Sequence, residues 1–428
     1  MKLPKPTLAA LALCLVAPLT ACSVSGSDSS SGPVKLVLRQ FDPESETKGL
    51  AAAIHTWNER HPHIQVELET LSPNNVQQFA REANSGSGPD IDQIGYSDVQ
   101  FLARPRILLP LDSYLDKDPP AGASGLLATD ATRFEGKTWA MPWTADTMAL
   151  VHNPKALADA GITHPPTTWE ELAADAKRIS AHGSGATKGF CFPGSGSVTS
   201  AQWFAINYFL WSHGSTLVKK DADGNWTTGV SRRQLTRAID YFDGLFRSGA
   251  TPAGNKAVQD YSDPTIVNGL ARGSCAMSYL PPSTFAPLRQ QAKKSGTELR
   301  AAVMPEGLKT GATHLGGRAL GINRNTAHPG AAWKVVKYLM SAATFKTYDQ
   351  LPASKATLAT VDVPASQKAY TDQLPHARSF GRYLGSGATI TSFQEVVDQN
   401  FSAVYSGQRS SEDAAGTILD GLDQALED

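Results

Sequence analysis

Between Val34 and Gly95 the chain switches repeatedly between the two hydrophobic periods that define secondary structure, and this alternation leaves few architectures open. Val34 to Phe41 has a strand pattern. Glu46 to Arg60 carries Leu50, Ile54 and Trp57 on one helical face, and His61-Pro62 stops it. Ile64 to Leu68 alternates as a second strand, Val76 to Ala83 reads as a short helix, and Ile91 to Gly95 reads as a third strand. Strand, helix, strand, helix, strand at this spacing predicts an α/β fold, a mostly parallel sheet with helices on its faces.

The same grammar continues downstream. Thr168 and Glu171 form a capping-box pattern for a helix to about Ala181. Ala201 to His213 is an unusually aromatic helix, and Gln234 to Arg247 places Leu235, Ile239, Phe242 and Phe246 on one face. Cys275 to Leu280 is a strand ended by Pro281-Pro282, and Ala301 to Met304 is another. A glycine-rich loop from Leu315 leads into a further strand, then a helix over Pro329 to Met340 and a mainly helical remainder. A chain of 428 residues exceeds one ordinary core and implies two domains or more.

One stretch interrupts the alternation. Thr138 to Asn153 contains two apolar runs around the polar break Thr144-Ala145-Asp146-Thr147. Pro142 disfavours a helix there. An extended segment would place Trp143 and Asp146 close together, and such a pair suits a polar ligand with an apolar face. The alternative is a buried edge strand in which Asp146 caps a turn.

Charge and targeting signals narrow the class. Lys+Arg 39 against Asp+Glu 40 argues against nucleic-acid binding, which needs a basic excess. Lys2 and Lys5 precede an apolar run from Thr7 to Ala21 that is short for a membrane span. Leu19-Thr20-Ala21-Cys22 resembles the lipobox of bacterial lipoproteins. That resemblance implies a signal peptide over 1–21, lipidation of Cys22, and an anchor on the outer face of the bacterial cell membrane. Residues 22–33 then form a flexible linker. Of the remaining cysteines, Cys191 and Cys275 are an even pair in an oxidising compartment, expected to form a disulfide, with two buried thiols as the alternative.

Ordered blocks along the chain carry a family resemblance. They are Ser87-Gly88-Pro89-Asp90-Ile91, Leu108-Leu109-Pro110-Leu111, Gly136 to Pro142, Asn153-Pro154-Lys155, Pro166 to Glu171, Gly269 to Met277 and Gly316-Gly317. Their order and spacing resemble the family 1 extracellular solute-binding proteins of ABC importers, the group that includes maltose-binding protein. The resemblance implies a type II periplasmic-binding-protein fold, with ligand in a cleft between two lobes joined by chain crossings. The crossings are expected near Thr144 to Thr147, Leu299 to Val303 and Phe345 to Ser354. Lobe I would comprise 34–144 plus 300–346, and lobe II 147–298 plus 352–428.

It also implies a non-enzymatic, cofactor-free, monomeric sugar-binding protein, with a carbohydrate ligand and the transmembrane permease subunits as partners. Candidate ligand contacts are Gln40, Phe41 and Asp42 after the first strand, and Tyr96 and Ser97 after the third. Trp143 and Asp146 belong to the hinge, and Trp203 and Phe204 to the aromatic helix. Ser283 and Thr284 stand where many relatives carry a stacking tryptophan, a departure that weakens transfer of an oligosaccharide specificity. Gly317, Arg318 and the C-terminal Tyr383, beside Arg382, complete the set. A secreted glycoside hydrolase or a binding protein for a non-sugar solute are the competing readings. No His-Glu-x-x-His or Gly-x-Ser-x-Gly motif points to a metal or serine hydrolase.

Overall fold

The computed structural model describes residues 32–42, 44–71, 76–182, 185–195, 202–309, 311–348 and 350–427. The expected signal segment, Cys22 and the linker up to residue 31 lie outside the described residues.

Two sheets organise the chain. The first has the order Ile64–Thr70, Val34–Gln40, Ile91–Gly95, Arg318–Ile322, Ala140–Pro142. Its first three strands are parallel, as their helical crossovers require, and the other two run antiparallel to their neighbours. The second has the order Arg300–Ala302, Ala149–His152, Cys275–Leu280, Lys188–Phe190, with one parallel pair, Cys275–Leu280 beside Lys188–Phe190. Helices cover both sheets, so the molecule is the expected α/β, two-lobe type.

Each sheet has its own core. Leu36, Leu38, Ile91 and Leu320 of the first meet Trp57 of helix Glu44–Arg60 and Trp333 and Val336 of helix Pro329–Leu339. In the second, Leu150, Met277 and Tyr279 meet Trp203, Tyr208 and Trp211 of helix Gln202–Ser212. The C-terminal helices Ile390–Tyr405 and Ser411–Glu427 close that core through Phe393, Phe401 and Ile418. Each such fully buried side chain contributes about 1.5–3 kcal/mol of transfer free energy. Cys191 and Cys275 are disulfide-bonded, with Cα atoms 6.1 Å apart, tying the end of one strand to the start of its parallel neighbour.

Local signals explain several helix starts. Asn153 accepts from the amides of Lys155 and Ala156, and Pro154 occupies the first helical position. Thr168 accepts from the Glu171 amide at 3.1 Å, but the Glu171 carboxylate turns to the Thr167 amide instead of completing the expected box. The Thr167 amide and hydroxyl hold that carboxyl below its usual range.

Three extended segments lie side by side between the sheets. Trp143 to Met148 leaves the first sheet, and the Asp146 amide and carbonyl pair reciprocally with those of Gly316 at 3.0 Å. The Ala145 amide donates to Leu351 at 2.7 Å, and the Ala353 amide donates to Trp143 at 2.9 Å. The second crossing differs from expectation. Arg300–Ala302 is a strand of the second sheet, paired with Ala149–His152, so the chain passes between sheets only over 303–317. The expected lobe I piece 300–346 therefore starts too early. A short apolar run cannot by itself say which of two sheets it will join.

Candidate functional site

A cleft of about 730 Å³ opens between the two sheets. Its floor is built from the first sheet and the crossings. Tyr96 follows the strand Ile91–Gly95, and its hydroxyl donates to the Thr144 carbonyl at 2.7 Å. Burial, with the Asp146 charge adding to it, raises the Tyr96 phenol well above its ordinary value, so the hydroxyl stays a donor. Ser97 beside it is exposed to the cleft.

Arg318 opens the strand Arg318–Ile322 and lines the same floor. Its Nε and Nη2 donate to Asp42 Oδ1 at 3.0 and 2.7 Å, and its guanidinium lies over the Phe41 ring at 4.6 Å. Burial acts to lower the Arg318 pKa, but the Asp42 and Asp146 charges outweigh it and raise it. Asp42 also accepts from Gln93 at 2.6 Å. These bonds commit Asp42 to fixing Arg318, so this expected ligand contact is corrected to a buried support. Gln40 is buried and donates to Thr70, and the Phe41 amide donates to Gln93. None of Gln40, Phe41 and Asp42 lines the cleft; Gln40 and Asp42 are buried and Phe41 is half-buried.

Asp146 sits on the first crossing with its side chain 28% exposed into the cleft. Its Oδ1 is buried and has no hydrogen-bond partner among the described residues. Close backbone approach at the adjacent crossing needs glycine. A Cβ on Gly316 would lie 2.1 Å from Asp146 Oδ1, and one on Gly317, whose φ is +125°, would lie 2.1 Å from the Thr144 carbonyl oxygen.

The opposite wall is aromatic. Phe204 and Trp203 line it from the start of helix Gln202–Ser212, joined by Tyr261 and by Phe380 from the C-terminal region. Ser283, at the start of helix Pro282–Lys294, also lines the cleft, whereas Thr284 does not.

Two expected contacts belong to cores. Trp143 is 1% exposed, stacks on Tyr348 at 5.0 Å and donates to the Leu339 carbonyl, facing the first-sheet core. Tyr383 is fully buried, donates to Asn207 at 2.7 Å and accepts from Trp211. Both spend their polar atom inside a lobe, which removes them from the cleft. Arg382 beside Tyr383 packs over the Trp211 ring.

Sequence reasoning missed His314, Tyr261 and Phe380. His314 precedes the Gly316-Gly317 pair by two residues, a nearness that could have flagged it. Phe380 lies in a short 3-10 turn, Phe380–Tyr383, in a region read as helical. Among the described residues no group of three His, Cys, Asp or Glu gathers as a metal site. No helix among them is long and apolar enough to cross a membrane.

Two α/β lobes with a ligand-sized cleft between them, joined by hydrogen-bonded crossings, define a periplasmic-type binding protein. The chain belongs to the bacterial extracellular solute-binding protein family, whose model matches residues 42–344. The family name places its members outside the cytoplasm. A Brucella abortus binding protein is 25% identical over 393 residues, 89% of each chain. An ABC transporter-binding protein of Deinococcus radiodurans is 28% identical over 302 residues, 68% of this chain and 69% of its own. In structure, the GacH receptor of Streptomyces glaucescens, solved unliganded and with acarbose, has a TM-score of 0.76 at 24% identity, covering 92% of this chain and 99% of its own. Maltose-bound MalE3 of T. maritima has a TM-score of 0.73 at 22% identity, covering 91% and 99%. At these identities the structural likeness speaks to the fold.

Proposed function

We propose that the protein is the substrate-binding lipoprotein of an ABC importer, which captures a neutral sugar by closing its two lobes and presents it to a membrane permease. The carrying observation is the cleft floor: the partly exposed Asp146 carboxylate, one oxygen of which has no partner among the described residues, in a cleft that also has an aromatic wall. A ligand hydroxyl that donates to the cleft-exposed side of this carboxylate adds a charged hydrogen bond of about 1.5–3 kcal/mol. Phe204 and Phe380 offer ring faces for the apolar face of a sugar, and Tyr96, Ser97, Ser283 and Arg318 offer polar groups at its edges. Gly317 supplies close backbone approach to the same floor. The sugars bound by relatives, acarbose in the GacH receptor and maltose in MalE3, support the choice of ligand class.

In this reading lobe I holds residues 34–144 and the chain beyond the second crossing to 346. Lobe II holds 147–302 and 352–428. Closure brings the aromatic wall onto the polar floor about the three crossings. The protein acts as a monomer tethered through lipidated Cys22. A thermal-shift screen over mono- and oligosaccharides tests the ligand class, since a ligand of the native state raises its stability. A clear shift with at least one neutral sugar is expected; shifts only with charged solutes, or turnover of a glycan, would overturn the reading. Mass spectrometry of the mature N-terminus tests the anchor, and an unmodified start away from Cys22 would remove it.

A further inference from the structure

His314 occupies a position that no charge or apolar pattern assigned. It lies on the second crossing, and its ring is buried between Phe204, at 4.8 Å, and Phe380, at 5.9 Å. Its Nδ1 is 2.5 Å from the Tyr208 hydroxyl. Burial raises the Tyr208 phenol well above its ordinary value, so that hydroxyl keeps its proton and is able to donate to Nδ1. With that donation Nε2 carries the ring hydrogen, a tautomer assigned from the Asp146 carboxylate 3.4 Å from Nε2. The opposite tautomer would turn a lone pair toward the Asp146 carboxylate, which is electrostatically unfavourable.

Nε2 lies 3.4 Å from Asp146 Oδ1, within ion-pair reach, yet no hydrogen bond forms and that oxygen has no partner among the described residues. Space beside the pair is kept by Gly316. A Cβ there would sit 2.1 Å from Asp146 Oδ1 and 2.6 Å from His314 Nε2. The floor thus carries a donor and an unsatisfied acceptor side by side, next to a notch that any side chain would fill.

We propose that His314 is a ligand-contacting residue, which together with Asp146 grips one hydroxyl of the ligand: the hydroxyl donates to the cleft-exposed side of the Asp146 carboxylate and accepts from His314 Nε2–H. The inference rests on the sugar-binding reading. It adds that the cleft selects for a hydroxyl able to donate and accept at one point, and that Tyr208 fixes the imidazole tautomer this needs. Asp146 and His314 sit on two different crossings, so a bound hydroxyl also joins the first crossing to the second.

The test is calorimetry of the wild-type chain, His314→Phe and His314→Gln against maltose, maltotriose, acarbose and D-tagatose, with thermal melts of all three proteins. Phenylalanine keeps a ring between Phe204 and Phe380 but removes the donor; glutamine restores an N–H. For any sugar the wild type binds, affinity should fall about tenfold in His314→Phe, the size of one lost hydrogen bond, and largely recover in His314→Gln. Unchanged affinity in His314→Phe overturns the inference alone. Equal weakening in both variants, matched by equal losses of melting temperature, reduces His314 to a packing role and also overturns it. If the wild type binds none of the four and no other mono- or oligosaccharide in the thermal-shift screen, both the sugar reading and the inference fall.

Discussion

The two carboxylates Asp146 and Asp398 share one defect and differ in everything around it. Asp146 has a buried oxygen without a partner among the described residues, but its side chain reaches the cleft and its surroundings are polar: Arg318, Tyr96 and His314. Asp398, on helix Ile390–Tyr405 in the aromatic core of the second lobe, is 1% exposed and leaves both oxygens unpartnered among the described residues. Burial alone pushes its carboxyl up to about 8. A carboxylate that reaches a cleft is a binding feature, because a ligand can donate to its exposed side. An unmet acceptor in a core has no such outlet, and the group takes up a proton instead. The same contrast separates the lobes, a polar floor in one and an aromatic wall in the other.

The wall should be costliest to break. Trp203 is 1% exposed and backs the cleft surface with most of its ring inside the second core. Trp203→Ala should destabilise the fold by about 3–5 kcal/mol, read as a shifted denaturant midpoint. A loss under about 1 kcal/mol would place that ring in the cleft rather than the core.

The floor should break differently. Asp146→Ala should weaken sugar binding by about 1.5–3 kcal/mol in calorimetry while leaving the melting temperature of the unliganded protein nearly unchanged. Unchanged affinity would remove Asp146 from the site and dissolve the contrast.

Asp398 sharpens it through pH. Its folded pKa, about 8, stands above the unfolded value of about 3.9, so the folded state holds a proton that the unfolded state releases. Stability is then full below about pH 4 and falls as pH rises toward about 8, at up to about 1.4 kcal/mol per pH unit inside that window. Asp398→Asn cannot ionise and should flatten that slope in denaturant titrations at pH 5 and pH 8. An unchanged slope would mean that Asp398 is solvated.

Phe380 should give the smallest effect. Phe380→Ala should weaken sugar binding by about 0.5–1.5 kcal/mol through lost stacking. Equal affinity would leave Phe204 as the working ring of the wall.

The α/β class was legible because hydrophobic period is local: the strands at Val34, Ile64 and Ile91 and the helices between them each declare themselves within about ten residues. Asp146 was legible for the related reason that a polar break in an apolar run is a local signal. What faces what was not. Trp143 stands three residues before Asp146, yet its orientation is set by Tyr348 and Leu339, which only the fold brings near. Asp42 looked like a cleft carboxylate until Arg318, 276 residues away, claimed it. Tyr383 lost its place to Asn207 and Trp211 in the same manner. His314 has no periodic context, and its meaning comes from Tyr208 and Asp146 on other segments. The second crossing was misplaced because the strand Arg300–Ala302 could have joined either sheet by pattern alone.

Lobe closure on a sugar is tested most directly by small-angle X-ray scattering of the wild-type protein, with and without a saturating sugar that gives a clear thermal shift. A fall in the radius of gyration on saturation, absent in Asp146→Ala at the same sugar concentration, is the expected result. A radius that stays constant while calorimetry shows the wild type fully bound would contradict closure of the two lobes on the ligand.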